Sequence, residues 1–371
     1  MSESITILIS GALGQVGKRC TDYLLESGHS VIAVDIESEK SLPTKQELED
    51  KWRKSNRLTI SFSNLLDRDV IAALFSQYQP DTVIHLAAIV SPPCYRNPDM
   101  ARRVNVEGTE ILLQAARQLS KAPLFVMASS AAVYGSINPF KYKALITPET
   151  PINPIDCYGI DKADAEQLVM ASGLSYAILR LGGVMSPDTL TNKNADYEVL
   201  MRATPSDNRL HGIDARDAAL AFAHAATLPE EETNKIYLIA GNESYALLSR
   251  DLEDDLMATM GIGRLGHEHG LKGDPDDDDG WAFTGWFDTS DAERVLKFQK
   301  HNWSDTCQWL ASTQPGIIRL LLKLAGPLIR HSMKKASIKK QQEEQRGPFA
   351  DPWGLIGKTY GDHVLVARKR A

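Results

Sequence analysis

Residues 5–17 are ITILISGALGQVG, an apolar run that leads directly into glycines at positions 11, 14 and 17. The run has the length and composition of a buried strand. Apolar residues then recur at helical spacing over 16–26, so the glycines lie where a strand turns into a helix. At such a junction the first glycine permits a tight turn, the second lets a ligand approach the backbone, and the third lets helix and strand pack closely.

The rest of the first half continues as short apolar runs that alternate with stretches of helical spacing. Further strands are predicted at 31–35, 58–62, 82–86, 124–128 and 176–181, and helices at 40–54, 68–77, 101–119 and 163–171. Strands that alternate with helices form βαβ units, whose parallel sheet is covered on both faces. We therefore predict an α/β fold built on a Rossmann-type, doubly wound parallel sheet.

The composition is that of an ordinary globular protein, with 371 residues and a net charge of -7. The negative balance argues against nucleic acid as a partner, because phosphate binding needs clustered positive charge. The four cysteines have no paired spacing, which is typical of a reduced, cytoplasmic protein. The N-terminus lacks a basic region and a cleavage site, so we expect no signal peptide.

The glycine turn and an acidic residue together predict a dinucleotide site. Phosphates would meet the free N–H groups and the positive end of the following helix. Asp35 ends the second predicted strand, where its carboxylate would accept hydrogen bonds from ribose hydroxyls and repel a 2′-phosphate. The site is therefore predicted to prefer NAD over NADP. A tight turn without a ligand is the alternative, which the flanking strand, the helix and Asp35 make less favourable.

A candidate catalytic set lies further along the chain. Tyr158 and Lys162 have the YxxxK spacing that places two side chains on one helical face. A neighbouring ammonium would lower the tyrosine pKa from its reference of about 10, so that the phenol could act as general acid or base. Ser129 and Ser130 follow a predicted strand, at the edge where open α/β sheets bind ligands. The alternatives are a solvated helix face for the pair and turn chemistry for the serines.

These motifs divide the chain into three segments. Residues 1–181 are predicted to form the NAD-binding Rossmann domain, which includes the YxxxK motif. Residues 182–313 are predicted to form mainly a smaller substrate-binding region, with some elements returning to the core. Residues 314–371 form a basic amphipathic tail.

Taken together, the motifs resemble the extended short-chain dehydrogenase/reductase superfamily, in its NAD-dependent epimerase/dehydratase family. The resemblance covers about Ile5 to about Phe298. The motifs that carry it are, in order, GALGQVG at 11–17, HLAA at 85–88, NVEGT at 105–109, SSAAVYG at 129–135, YGIDK at 158–162 and LRLGGV at 179–184.

The resemblance implies a role for each matching residue. Ser130 would orient the substrate, Tyr158 would be the acid/base, and Lys162 would contact the nicotinamide ribose and tune the tyrosine. Asn105 would contact the cofactor or brace the active-site helix. The family is also often dimeric through a helix bundle, so a homodimer is expected. The full set of expected cofactor contacts is Gly11, Leu13, Gly14, Gln15, Val16, Gly17, Asp35, Asn64, Leu65, Leu86, Ala87, Ala88, Asn105, Ser129, Tyr158, Lys162, Gly183 and Val184.

Two positions depart from the family pattern. Asn64 stands where the family usually has an Asp that holds the adenine, although an amide still accepts and donates hydrogen bonds. Asp214 stands where the family usually has a histidine, in a segment that often borders the substrate. The substrate type is therefore open.

The segment 186–210 bears on the reaction, because it is short and polar where relatives that act on nucleotide sugars usually have a longer insertion. We therefore predict an NAD-dependent oxidoreductase that interconverts a secondary alcohol and a ketone, with a small-molecule substrate. An NAD-dependent epimerase of a sugar or nucleotide sugar is the alternative. Ala131 and Ala132 replace the Asp-Glu pair expected of a dehydratase. A non-catalytic cofactor-binding regulator is a minor alternative.

Two other features suggest ligands at first sight. His267-Glu268-His269 and the acidic run 274–279 contain metal-ligand residue types, but a solvated loop is favoured and no metal is predicted. In the tail, apolar and basic residues over 316–340 follow helical spacing, as in helices that lie on anionic membranes. A helix packed on its own domain or on a partner subunit is favoured, because Gly326-Pro327 is expected to interrupt the helix.

Overall fold

The computed structural model describes residues 4–190, 195–266, 270–282 and 285–365. The strands are β1 Thr6–Ser10, β2 Ser30–Asp35, β3 Leu58–Phe62, β4 Thr82–His85, β5 Leu124–Ser130, β6 Tyr176–Leu181, β7 Gly183–Met185, β8 Arg209–Asp214, β9 Lys235–Ile239 and β10 Ala246–Leu248. The helices are α1 Gly17–Glu26, α2 Ser41–Trp52, α3 Arg68–Tyr78, α4 Pro98–Arg102, α5 Gly108–Arg117, α6 Cys157–Met170, α7 Pro187–Leu190, α8 Ala195–Ala203, α9 Ala215–Ala225, α10 Ser249–Thr259, α11 Ser290–Leu296, α12 Trp303–Ser312, α13 Gly316–Glu343 and α14 Pro352–Tyr360.

Among the described residues, seven strands form one sheet in the order β3-β2-β1-β4-β5-β6-β9. Every neighbouring pair in it is parallel. The strand order reverses between β1 and β4, and ligands of open α/β sheets bind at the carboxyl ends of the strands beside such a reversal. The predicted Rossmann-type sheet is confirmed, and its reversal lies beside the glycine turn.

Helices cover both faces of this sheet, and alternate strand residues explain why. On one face Ile7 of β1 packs with Leu24 of α1 and Phe222 of α9. On the other face Leu8 packs with Leu112 of α5. Burying a side chain of this size contributes about 1.5–3 kcal/mol, so the two clusters hold the strand ends rigidly in place.

The chain after β6 contributes to two sheets. Strand β9 pairs with β6 at the edge of the large sheet, and α9 packs against α1. Strands β7, β8 and β10 form a smaller sheet in which β8 pairs in parallel with β7 and antiparallel with β10. One residue, Gly182, separates β6 from the first strand of the smaller sheet, so this sheet stays close to the carboxyl edge of the large sheet.

The helix that carries Tyr158 begins earlier than predicted. Asp156 caps α6 by accepting a hydrogen bond of 2.8 Å from the Gly159 amide, so helix α6 starts at Cys157 and not at Ala163. The cap satisfies one of the free amides of the first turn. Tyr158 and Lys162 therefore lie on the first turns of a regular helix, one turn apart.

The C-terminal tail contains two helices. Helix α13 runs from Gly316 to Glu343 with Pro327 inside it, so the predicted interruption at Gly326-Pro327 is wrong. Proline removes one helical hydrogen bond, but the remaining bonds of a long helix keep it continuous. Helix α14, which the sequence analysis did not predict, buries much of its length. Within the described ranges, no helix combines the length and apolar character needed to cross a bilayer.

Candidate active site

The glycine turn lies between β1 and α1, under tight steric limits. Gly11 has a φ of 74°, and a Cβ there would lie 2.6 Å from the Ala87 backbone nitrogen. A Cβ on Gly17 would lie 2.2 Å from the Gly11 carbonyl oxygen. These two positions need glycine for the packing of the chain on itself.

Gly14 differs from the other two glycines. A Cβ there would meet only the Gly11 carbonyl oxygen, at 3.4 Å, so the protein leaves space beside it. Helix α1 begins next to this space without a side-chain cap and without an acidic residue in its first turn. The open cradle and the uncapped amides of Gln15, Val16 and Gly17 fit a pyrophosphate.

Asp35 connects the glycine turn to the end of β2. Its Oδ2 accepts a hydrogen bond of 2.8 Å from the Leu13 amide, and its Oδ1 accepts one of 2.8 Å from the Ile36 amide. Burial raises the pKa of Asp35, an effect that these two donors oppose. A carboxylate has further lone pairs, so Asp35 can still accept hydrogen bonds from two vicinal hydroxyls.

The adenine side of the predicted site contains Asn64 and Leu65. Asn64 is exposed, and its side-chain oxygen accepts a hydrogen bond of 3.0 Å from the Leu66 amide. Leu65 is buried in the core cluster beneath α5. Asn64 is therefore available at the surface beyond β3, whereas Leu65 is mainly a packing residue.

Leu86, Ala87 and Ala88 leave β4 beside the glycine turn, and Asn105 supports the segment that follows them. The Asn105 side chain accepts a hydrogen bond of 2.8 Å from the Ile89 amide and donates one of 3.1 Å to the Ile89 carbonyl. It also donates to Asp161 of α6, at 3.4 Å. Asn105 thus joins the loop after β4 to the helix that carries Tyr158.

Tyr158 and Ser130 meet at the carboxyl edge of the large sheet. The Ser130 hydroxyl, at the end of β5, lies beside the Tyr158 phenol and acts to lower its pKa. Tyr158 is almost completely buried, and burial raises its pKa above the ordinary value more than Ser130 lowers it. The sequence had predicted a lowered pKa. The direction differs because burial removes water from the phenol and so disfavours its charged form.

Lys162 is buried beneath the tyrosine. Its Nζ donates a hydrogen bond of 2.9 Å to the Ala128 carbonyl and lies 6.0 Å from the centre of the Tyr158 ring. Burial lowers the pKa of Lys162 to about 8, while the carboxylates of Glu166 and Asp161 act in the opposite direction. Lys162 is therefore a cation whose charge is readily lost in this environment.

A buried ion pair that the sequence analysis missed lies one turn further along α6. Glu166 pairs with Arg180 through two hydrogen bonds, of 2.9 and 2.7 Å, and also accepts a hydrogen bond from the Ser129 hydroxyl. Arg180 donates to the Tyr134 hydroxyl at 2.8 Å. The network joins α6, β5 and β6, so it fixes the helix against the strand that ends in Ser130. The spacing of Glu166 four residues after Lys162 was the available signal.

Gly183 and Val184 belong to β7, which lies next to the start of α1. Ser186 follows them and donates a hydrogen bond of 2.7 Å to the Gln15 side chain. Asp188 forms ion pairs with Lys18, at 2.9 Å, and with Arg19. These contacts hold the segment after β7 against the glycine turn and place Gly183 and Val184 near it.

Helix α14 supplies an apolar wall beside Tyr158, another feature that sequence reasoning missed. Trp353, Leu355 and Ile356 share a buried cluster with Tyr158. The backbone of Leu365 pairs with that of Asp156, the cap of α6. The available signal was Asp351-Pro352, a cap followed by proline at the first helical position.

No group of side chains suited to a metal is found within the described residues. The acidic run is tied to the protein, since Asp278 pairs with Lys141 at 2.8 Å and accepts a hydrogen bond from Asn138. The loop interpretation therefore agrees with these contacts. His267-Glu268-His269 lies outside the described residues.

Comparisons with known proteins agree with this geometry. The family described as "NAD dependent epimerase/dehydratase family" matches residues 7–240. Among curated proteins, UDP-glucose 4-epimerase 2 of Arabidopsis thaliana is 30% identical over 165 residues, which are 44% of this chain and 46% of the relative. D-erythronate dehydrogenase of Cupriavidus necator is 29% identical over 167 residues, which are 44% of this chain and 49% of the relative. The matches thus span about half the length of these relatives.

Solved structures show the same fold at lower identity. UDP-glucose 4-epimerase of Thermotoga maritima, solved with UDP-glucose, has a TM-score of 0.65 at 19% identity, over 83% of this chain and 98% of that one. The Thermus thermophilus enzyme, solved with NAD, has the same TM-score, identity and coverage. The family match covers more than half of the chain, and the chain belongs to the NAD-dependent epimerase/dehydratase family of extended short-chain dehydrogenases/reductases.

Proposed function

We propose that this enzyme interconverts a secondary alcohol and a ketone, with NAD as hydride carrier and Tyr158 as the acid/base. The observation that carries the proposal is the arrangement at the carboxyl end of β5, where Lys162 Nζ is bound to the Ala128 carbonyl at 2.9 Å and lies 6.0 Å from the centre of the Tyr158 ring, with Ser130 beside the phenol. NAD is the cofactor of the family, and the open cradle at Gly14 and the carboxylate of Asp35 fit it.

The residues of the site have separate tasks in this proposal. NAD, held at the cradle beside Gly14 and by Asp35, would supply the hydride acceptor for the alcohol or the hydride donor for the ketone. Ser130 donates a hydrogen bond to the substrate oxygen and holds it beside the phenol. Tyr158 gives its proton to that oxygen during reduction and removes it during oxidation. Lys162 stabilises the phenolate by its charge and contacts the nicotinamide ribose.

The raised pKa of Tyr158 sets the pH dependence of the two directions. At neutral pH the phenol is protonated, so it is ready to donate during ketone reduction. Alcohol oxidation needs the deprotonated form, whose population rises with pH. We therefore expect the oxidation rate to rise as pH increases above neutrality, while the reduction rate does not.

The surroundings of Tyr158 favour a substrate without a diphosphate. The wall from α14 is apolar, and nearby arginines already have carboxylate partners, as Arg96 has Asp196 at 2.9 Å and Arg202 has Glu344 at 2.8 Å. The segment 186–210 is also short and polar. These features support an alcohol or ketone without a nucleotide handle.

A second candidate is an NAD-dependent epimerase acting on a nucleotide sugar. It is favoured by the relatives, several of which are UDP-sugar epimerases, and by neighbours solved with UDP-glucose. The acid/base chemistry is shared, since epimerisation at a carbinol carbon also begins with its oxidation. The two candidates differ in whether reduced cofactor leaves the cycle as a product.

The deciding experiment supplies NAD with a panel of secondary alcohols and, separately, with UDP-glucose. Net formation of NADH from an alcohol, lost in the Ser130→Ala variant, would support the dehydrogenase. Epimerised UDP-sugar without net NADH would establish the epimerase instead. NAD binding with neither reaction would leave the regulatory alternative.

The division of the chain belongs to the same proposal. Residues 1–181 would bind NAD, 182–313 would mainly bind substrate, and 314–371 would form a tail that acts separately. We also propose that the protein is a homodimer. We further propose a cytoplasmic location, with which the four free cysteines are consistent. Sedimentation equilibrium of the full chain tests the dimer.

A further inference from the structure

Helix α13 has a row of exposed apolar side chains over its first three turns. Ile317, Leu320, Leu321, Leu324 and Leu328 follow the spacing of one helical face, and they are between 58% and 78% exposed. Contiguous exposed apolar surface is uncommon in soluble proteins and marks sites that bind other surfaces. We therefore expect another surface to cover this row of apolar side chains.

The opposite side of the same helix is held by the body of the protein. Gly326 is buried, and a Cβ there would lie 2.6 Å from the Ile262 carbonyl oxygen. Arg330 donates a hydrogen bond to the same carbonyl. The backbone of Arg319 lies against Gly261, where a Cβ would be 2.8 Å from the Arg319 carbonyl oxygen. These contacts fix the rotation of the helix, so the apolar row faces outward.

The charged residues around the apolar row are all basic. Residues 306–342 contain seven lysines and arginines and no acidic residue, although the whole chain has a net charge of -7. Lys334, Lys335, Lys339 and Lys340 follow the apolar row within the next turns of the helix and are exposed. A local concentration of cations on an acidic protein indicates an anionic partner.

We propose that α13 docks in the plane of an anionic phospholipid membrane. The apolar row would enter the boundary between headgroups and acyl chains, and the lysines would contact lipid phosphates. The apolar row and the lysines of α13 would then contact the same membrane surface. The proposal does not depend on the reaction at Tyr158, because it rests on α13 alone.

A second copy of the chain fits this face less well. Pairing two α13 helices would bring the seven cations of one helix towards those of the other, and Glu343, which pairs with Lys339 and Lys340, is the single acidic residue of α13 that could compensate. Like charges held close together oppose association. Lipid phosphates offer the opposite charge and an apolar layer together.

The test is co-sedimentation of the full-length protein with vesicles of equimolar phosphatidylcholine and phosphatidylglycerol. We expect binding that weakens in high salt and is much weaker with pure phosphatidylcholine. Leu324→Glu/Leu328→Glu should reduce binding by on the order of tenfold per leucine. Lys334→Gln/Lys335→Gln should reduce it by about fivefold per lysine, and only with the anionic vesicles.

The matched control is Leu42→Glu/Val70→Glu, which places the same charges at two exposed apolar positions on other helices. The control should bind vesicles like the unchanged protein. The proposal is overturned if the unchanged protein stays in the supernatant. It is equally overturned if Leu324→Glu/Leu328→Glu and the control Leu42→Glu/Val70→Glu bind the vesicles to the same extent. It is also overturned if Leu324→Glu/Leu328→Glu converts a dimer into a monomer without affecting vesicle binding.

Discussion

The carboxyl edge of the large sheet and helix α14 both border Tyr158, but different forces hold them there. At the sheet edge, hydrogen bonds and charges position the groups, as Lys162 is bound to the Ala128 carbonyl and Glu166 to Arg180. Helix α14 is held mainly by apolar burial, with Trp353 and Ile356 each 1% exposed. In the proposed function, the polar edge would therefore position the reacting groups, whereas the apolar wall would select the substrate that reaches them.

The largest stability effect is expected from Glu166→Gln, which breaks the polar edge. The change leaves the buried Arg180 without its carboxylate, and removing one partner of such a pair costs about 3–5 kcal/mol in the free energy of unfolding. Loss of Glu166 also removes a charge that raises the pKa of Lys162, so this pKa should fall below about 8.

Chemical denaturation and a pH–rate profile check both effects. The limb of the profile that belongs to Lys162 should move to lower pH in Glu166→Gln. Glu47→Gln, an exposed change of the same kind, should alter neither property. A stable Glu166→Gln variant with an unchanged profile would contradict the positioning role of this network.

A smaller loss, about 3 kcal/mol, is expected from Trp353→Ala in the apolar wall. The indole fills a buried space and donates hydrogen bonds of 2.8 Å to Ser136 and 3.0 Å to the Trp281 carbonyl. The KM for an apolar substrate should also rise, because the wall beside Tyr158 is incomplete. Thermal unfolding and steady-state kinetics measure the two effects.

Leu324→Ala in α13 is the matched comparison. This leucine is exposed, so its removal should change the free energy of unfolding by no more than about 0.5 kcal/mol. Equal losses for Trp353→Ala and Leu324→Ala would show that the two neighbouring helices do not differ in burial as described.

A loss of about 2 kcal/mol in the free energy of unfolding is expected from Gly11→Ala at the glycine turn. It combines an unfavourable φ with a contact to the Ala87 backbone. Gly14→Ala should leave stability nearly unchanged and weaken NAD binding, because its methyl group enters the open cradle. Calorimetry of unfolding and of NAD binding separates the two variants. If Gly14→Ala bound NAD as tightly as the unchanged protein, the space beside Gly14 would not be the pyrophosphate site.

Much of the sheet was predictable because its signals are local. The predicted strands agree with the observed strands of the large sheet to within two residues at each end. Apolar runs that end in glycine or in polar residues are short-range features, and the order of the motifs along these strands follows from them. The pairing of Tyr158 with Lys162 is equally local.

The missed features depend on contacts between distant parts of the chain. Glu166 and Arg180 are unremarkable in sequence until β6 and α6 bring them together. Helix α14 is short and contains Gly354 and Gly357, so its propensity is weak and its position depends on packing. The continuity of α13 through Pro327 likewise reflects the cooperativity of a long helix.

Tyr158 is the residue on which the proposed reaction depends most directly. Tyr158→Phe keeps the ring and its packing but removes the hydroxyl whose proton would be transferred in the proposed reaction. NAD binding measured by calorimetry should be unchanged, while turnover should fall by about 10²–10⁴-fold. Unchanged turnover in the Tyr158→Phe variant would contradict the assignment of Tyr158 as the acid/base.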